Sequence, residues 1–210
     1  MVNIVQDRSV DFPAYFIRGA KSKTELRKYC AMVVSHWLSM LASENEVKFR
    51  RVGRPILTGC VMLDIDDTLI DGKEKIQNGF QFMKELFDQV GVSFPVHIVT
   101  ARPLEDKKQC MKMLKDLGFH IPVDRLHMLP TEFYGKDTKY VEDFKFECYK
   151  MMKEKHGSVV ARMGDKLWDV AHMEAMRGGD MSHVGDKDCY IFRDPRLDEC
   201  VSVKLPGQGD

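Results

Sequence analysis

From Ile56 to Gly164 the chain repeats one pattern: a short, almost uninterrupted apolar run, then a segment whose apolar residues return at helical spacing. The runs are ILTGCVML, FPVHIVT, RLHMLP and GSVVARMG, and the segments between them cover 76–90, 103–117 and 141–156. A strand that is apolar on both faces has to be covered on both, and strands that alternate with helices pair in parallel. The expectation is an α/β fold, a doubly wound, Rossmann-like parallel sheet. With 210 residues and 44% hydrophobic content there is material for one well-packed core. Ahead of it, residues 22–43 predict a helix: Ser22 and Glu25 form a capping box, and Leu26, Cys30, Val33, Trp37 and Leu41 recur at helical spacing. Such a stripe is core packing rather than a cofactor seat. Two parts are therefore expected, an N-terminal helical extension over 1–55 and the α/β domain over 56–210.

In doubly wound sheets the ligand crevice lies beyond the carboxyl ends of the strands. The polar residues gather there. VMLDIDDTLI ends the first run with Asp64, Asp66, Asp67 and Thr68; HIVTARP ends the second with Thr100 and Arg102; MGDKLWD ends the last with Gly164, Asp165 and Asp169. Burying so many anions requires compensation, and a cation is the first expectation. The set suits phosphoryl transfer, because a carboxylate can attack phosphorus and split one difficult displacement into two. Asp64 is the expected nucleophile. Asp66, two residues on, is placed to protonate the leaving oxygen and then to activate water. A hard cation such as Mg²⁺ takes carboxylate and carbonyl oxygens, here from Asp64, Asp66 through its carbonyl, and Asp165. Asp169, one helical turn beyond, faces the same ion directly or through water. The Thr100 hydroxyl and a lysine are expected to hold the phosphate oxygens. Arg102 has two open readings, a substrate contact beyond the phosphate or an ion pair with a neighbouring carboxylate.

In type, order and strand context, DIDDT, the threonine of VTAR, and GDKLWD as GDxxxD resemble the haloacid dehalogenase (HAD) superfamily. Within it the likeness is closest to the class B and plant-type acid phosphatases, which include the vegetative storage proteins (subfamily III). Their aromatic, lysine, helix and GDxxxD resemble FKFECYKMMKEKHGSVVARMGDKLWD, which implies Lys145 as the phosphate-holding lysine and leaves Lys136, Lys139 and Lys150 structural. The resemblance implies a HAD-like fold and a Mg²⁺-dependent phosphomonoester hydrolase working through an aspartyl-phosphate. The chain departs from those relatives in two ways. No export signal is expected from its opening residues, and only DGKEKI stands before the next helix where they have a long insertion. The roughly 45 residues between Thr100 and Lys145 are filled by a helix, a strand and a loop. Little or no cap is expected, so the site should be open, with the N-terminal helix or the stretch 171–200 as a lid.

Composition narrows the partners. Lys plus Arg equals Asp plus Glu at 32 each, so no net field favours nucleic acid or an anionic membrane. The basic run KFRRVGR, Lys48 to Arg54, could grip a phosphate chain but reads better as a solvated connector. Six cysteines without a CxxC pair suggest reduced thiols. No run is apolar enough to span a bilayer and no signal-like segment opens the chain, which predicts a cytoplasmic protein. Among the histidines, His172 and His183 lack partners at zinc-ligand spacing, and His97 should make a structural hydrogen bond. Gly178, Gly179, Gly185 and the GQGD tail read as loop and chain end. A small-molecule phosphomonoester is the first expected substrate; a nucleic-acid end phosphate or a phosphoprotein stays open, and the oligomeric state is unset. The rivals are a phosphomutase, disfavoured without a lid, a catalytically idle storage or binding protein on the same fold, and a nucleic-acid-binding module built on 48–54.

Overall fold

The computed structural model describes residues 2–10, 13–20, 22–52 (side chains to Glu44), 59–70, 81–171, 181, 183–185, 187–193 and 200–206. Its strands are β1 (Asn3–Gln6), β2 (Ala14–Arg18), β3 (Cys60–Leu63), β4 (Val96–Pro103), β5 (Leu126–Leu129), β6 (Val159–Gly164), β7 (Cys189–Phe192) and β8 (Val201–Lys204). They form one sheet of order β1-β2-β7-β8-β6-β3-β4-β5. The helices are α1 (Lys23–Val52), α2 (Gln81–Gly91), α3 (Lys107–Asp116), α4 (Thr138–His156) and the single turn α5 (Leu167–Val170).

The expected α/β architecture is present. From β8 through β6, β3 and β4 to β5 every pairing is parallel, and the four apolar runs supply four of those strands. β3 and β6 are buried at every residue, as runs without polar alternation require. Alternate side chains serve opposite faces. Val61, Leu63, Val96 and Ile98 share a cluster with residues of α1, α2 and α3. Cys60, Met62 and Val99 pack on the other face against Cys148, Tyr149 and Met152 of α4. The chain steps outward through β3, α2, β4, α3 and β5, and α4 then carries it back to β6 on the far side of β3. That reversal between β3 and β6 is the switch point at which a crevice opens.

Residues 1–55 hold the expected helix and also two strands. β1 and β2 pair antiparallel and join the sheet through β7. β1 is exposed along its length and β2 has five residues, so neither offers the apolar run that marks an inner strand. β7 and β8 are likewise four residues each. The stretch 171–200, considered as a lid, thus gives β7 to the sheet. The buried stripe of α1 is Arg27, Cys30, Ala31, Val34, Leu38 and Leu41, turned by about one position from the predicted face. Small residues at 30 and 31 let the helix approach the sheet. Trp37 stays at the margin, where its indole N–H donates to the Val160 carbonyl at 3.3 Å and Arg193 stacks over its ring. All six cysteines are buried. No described helix is long and apolar enough to cross a membrane. The segments 56–58, 71–80 and 207–210, with His172, Gly178 and Gly179, lie outside the described residues.

The N-terminal strands are fastened by one carboxylate. Asp7 accepts from the Ser9 N–H at 2.9 Å, the Ser9 hydroxyl at 2.6 Å and the Tyr190 hydroxyl of β7 at 2.6 Å. Burial opposes its charge, but the Ser9 and Tyr190 hydrogen bonds outweigh that and hold the carboxyl below its ordinary value of 3.8. A folded-state pKa below the unfolded one stabilises the fold above the unfolded value and is lost as pH falls toward the folded one. Asp7→Asn should therefore cost about 2 kcal/mol at pH 7. Urea unfolding of the two proteins should give stabilities that converge once the pH drops below 3.8; a gap that stays constant with pH would contradict this role.

Candidate active site at the ends of β3 and β6

Asp64 directly follows β3, and its N–H donates to the Met163 carbonyl of β6 at 3.0 Å, which pins it at the switch point. The chain then turns tightly: the Ile65 carbonyl accepts from the N–H groups of Thr68, Leu69 and Ile70 at 3.2, 2.8 and 3.1 Å. Asp67 takes the left-handed conformation at φ 55°, which Asp tolerates better than most side chains. Its carboxylate lies 4.0 Å from the buried Arg27 of α1, whose guanidinium also donates to the Pro206 carbonyl at 2.9 Å. The motif loop is thereby tied to both the N-terminal helix and the end of β8.

α4 sends Lys145 into the same place. Its ammonium donates to Asp64 Oδ1 at 2.6 Å and also to Asp169 Oδ1. The lysine, Asp64 and Asp169 are all nearly inaccessible to solvent, at 1%, 6% and 2% exposure. Asp165 directly follows β6, with the Lys166 ammonium 3.9 Å from it, and α5 then presents Asp169, whose Oδ2 accepts from the Lys166 N–H at 2.9 Å. Asp64, Asp165 and Asp169 each bring a carboxylate oxygen within 4.8 Å of the others. Gly164 makes this possible: a Cβ there would stand 2.1 Å from Asp169 Cβ. Gly164→Ala should displace Asp169 and destabilise the protein by about 2–3 kcal/mol, read as a lowered melting temperature; an unchanged melting temperature would refute the close packing.

Beside this cluster, Arg102 donates through Nε and Nη2 to the two oxygens of Asp66 at 2.9 and 2.6 Å. Of its two readings, the ion pair is the one seen. The buried Thr100 hydroxyl accepts from the Arg102 N–H at 3.3 Å. The expected residues thus meet as two adjoining groups, Asp64, Lys145, Asp165 and Asp169 in one, Asp66, Arg102 and Thr100 in the other. Asp66 gives its carboxylate to Arg102 and does not join the three-carboxylate cluster. His183 pairs with Asp7 at 2.6 Å, away from these groups in the fold.

The electrostatics show a surplus of negative charge. Burial drives the Asp64 carboxyl well above its ordinary range, Lys145 pulls it back, and Asp169 and Asp165 raise it again. Asp165 is pushed up to about 7 by burial and by Asp169. Burial works against the charge of Lys145, yet Asp169 and Asp64 outweigh it and raise its pKa. Three buried carboxylates facing one buried ammonium form an oxygen donor set short of positive charge, which fits a hard divalent cation such as Mg²⁺.

One residue, Arg162, was missed from sequence, and Thr68 was placed at the strand end without a role. Arg162 is 1% exposed inside β6; it donates to the Asp169 carbonyl at 3.2 Å, and its guanidinium lies 4.9 Å from the centre of the Tyr149 ring. A lone cation in the otherwise apolar GSVVARMG was its signal. Thr68 is fully buried and its hydroxyl meets no hydrogen-bond partner among the described residues, which makes it a free donor beside the motif loop.

No protein-family model matches the chain, and no curated protein matches it. Among solved structures, the class C acid phosphatase from Bacillus anthracis is similar, with a TM-score of 0.42 and 11% identity over 72% of this chain and 74% of that one. Similarity at this level leaves function to be argued from the site.

Proposed function

We propose that the protein is a Mg²⁺-dependent phosphomonoester hydrolase whose nucleophile is Asp64. The reading is carried by one observation: a buried carboxylate at the switch point shares a buried lysine with a second carboxylate and lies beside a third. Asp64, Asp165 and Asp169, with the Asp66 carbonyl, would hold the cation, which supplies charge neutralisation between an anionic nucleophile and an anionic phosphate.

In this reading a carboxylate oxygen of Asp64 forms a bond to phosphorus as the bond from phosphorus to the ester oxygen breaks. Asp66 gives its proton to the departing oxygen. In the second half Asp66 takes a proton from water as that water attacks phosphorus, releasing phosphate and restoring the Asp64 carboxylate. The Lys145 ammonium and the Thr100 hydroxyl donate to the phosphate oxygens and stabilise the charge they gain. Arg102 occupies both oxygens of the Asp66 carboxylate. A phosphate that draws the guanidinium to itself leaves Asp66 open to the ester oxygen, so Arg102 acts as substrate contact and as positioning residue in turn. The catalytic residues fall within 56–210, and 1–55 contributes Arg27 against the motif loop. A small phosphomonoester is the favoured substrate class.

The test is release of inorganic phosphate from a generic aryl phosphate, with Mg²⁺ and after chelation. Turnover that stops on chelation and returns with Mg²⁺ supports the reading. Turnover that chelation leaves unchanged rejects the metal dependence, and a protein inert in both conditions favours the idle storage or binding alternative.

A further inference from the structure

We infer that the protein has a second metal site, for a borderline-soft divalent cation of the Zn²⁺ type, built from Cys60, His97 and His156 at the opposite end of the sheet from the carboxylates. The inference does not depend on the phosphatase reading.

The site follows from strand alternation. Cys60 and Met62 of β3 and Val99 of β4 lie on the face covered by α4, so His97, two residues before Val99, lies there too. Val99 is registered with His127 of β5, which places that residue on the same face. α4 runs back over this face and ends at His156. Lys145 and His156 are eleven residues apart on that helix, about 16 Å. Cys60 and Asp64 are four residues apart along β3, about 13 Å. One helix and one strand therefore carry the two clusters at their opposite ends.

The donors converge. His97 Nε2 stands 2.9 Å from His156 Nε2. The Cys60 sulfur and one nitrogen from each of these two histidines all lie within 4.8 Å of one another. A cation at ordinary zinc-to-sulfur and zinc-to-nitrogen distances needs its donors about 3–4 Å apart. Cys60 and His97 are fully buried, so their positions are set by packing rather than by solvent. His97 Nδ1 lies 3.0 Å from His127 Nε2, with the two rings stacked. A metal-bound histidine commonly donates its other ring N–H to an acceptor that fixes ring and tautomer, and His127 stands in that place. One thiol and two imidazoles are a donor set that zinc prefers and Mg²⁺ does not. His156 is half-buried at the rim, which leaves a fourth position open to solvent. Burial pushes the Cys60 thiol up to about 12, and Arg125 and Lys155, the latter 3.8 Å from Asp124, act against that in favour of the thiolate that ligation creates.

Binding balances as follows: Cys60 loses its thiol proton to solvent, the sulfur and the two Nε2 lone pairs bond the ion, and any hydrogen between His97 and His156 moves to His156 Nδ1. One proton is released per ion. The sequence could not suggest the site, since its members stand at 60, 97 and 156 with no short ligand spacing.

The test is titration of the purified full chain with Zn²⁺ against a chromogenic chelator, and with Co²⁺ for its thiolate charge-transfer absorption. Wild type and Asp64→Asn should each bind one Zn²⁺ and give the Co²⁺–thiolate band. Cys60→Ser should lose the band. His156→Asn, at a half-buried helix end where folding is least at risk and circular dichroism can confirm it, should weaken Zn²⁺ by more than about a hundredfold, and His127→Phe by about ten- to a hundredfold. Zn²⁺ affinity equal in wild type, Cys60→Ser and His156→Asn would overturn the site. So would affinity lost in Asp64→Asn alone, because the ion would then belong to the carboxylate cluster.

Discussion

Asp64→Asn should leave a folded protein that hydrolyses an aryl phosphate at least about 10⁴-fold more slowly than wild type, because loss of a nucleophile removes the covalent route and not merely one contact. The substitution keeps the shape of the side chain, but an amide is a poor nucleophile toward phosphorus and cannot form the acyl phosphate. It also takes one negative charge from a cluster of three buried carboxylates, two of which share one buried lysine. Lys145 keeps Asp169 as its partner, so the melting temperature should hold or rise. Steady-state assays of the two proteins, with thermal melts alongside, decide the point. A variant within tenfold of wild type would show that Asp64 is not the nucleophile.

Lys145→Met should have the largest effect on stability. Methionine matches the length of lysine and fills the same space beneath α4, but it leaves Asp64 and Asp169 buried without their shared cation. Removing one partner of a buried ion pair costs about 3–5 kcal/mol, since the remaining charge has no water to turn to. For a chain of this length that lowers the melting temperature by about 10 °C. Hydrolysis should vanish with it, as the phosphate loses its ammonium donor. Excess Mg²⁺ should recover part of the lost stability, because an ion bound only by the folded state stabilises it by mass action. A melting temperature unchanged from wild type would mean that Lys145 does not compensate the carboxylates.

The inner half of the fold was legible because its signal is strong. β3, β4, β5 and β6 are buried on both faces and read as apolar runs, and α2, α3 and α4 lie between them as amphipathic segments. The edge was not legible. NIVQ is exposed throughout and AYFIR is only five residues long, so β1 and β2 take their pairing from β7 rather than from a pattern of their own. The stripe of α1 turned by a position because the helix centres small residues on the sheet and sends Arg27 to the motif loop, a long-range choice that spacing alone does not encode.

The candidate site was legible where one strand end supplied several polar residues, as with Asp64 and Asp66 or Asp165 and Asp169. Lys145 is different: one lysine among several on a helix shows no periodic mark of burial, and it was singled out by resemblance. Arg102 gave two readings because a guanidinium serves a carboxylate and a phosphate equally well. Arg162 was passed over although a cation within an apolar strand requires a partner. The group of Cys60, His97 and His156 lay beyond local reading, since strand register and the return of α4 bring it together.

The central claim is a covalent phosphoryl group on Asp64. The most direct measurement is to quench the protein during turnover of an aryl phosphate with Mg²⁺, reduce with borohydride, digest, and sequence the peptide spanning VMLDIDDTLI by mass spectrometry. An acyl phosphate on Asp64 would be reduced to homoserine at that position, and the account expects homoserine at Asp64 only, and only when substrate is present. Steady turnover with every aspartate in that peptide unmodified, or with the modification at Asp66, would contradict it.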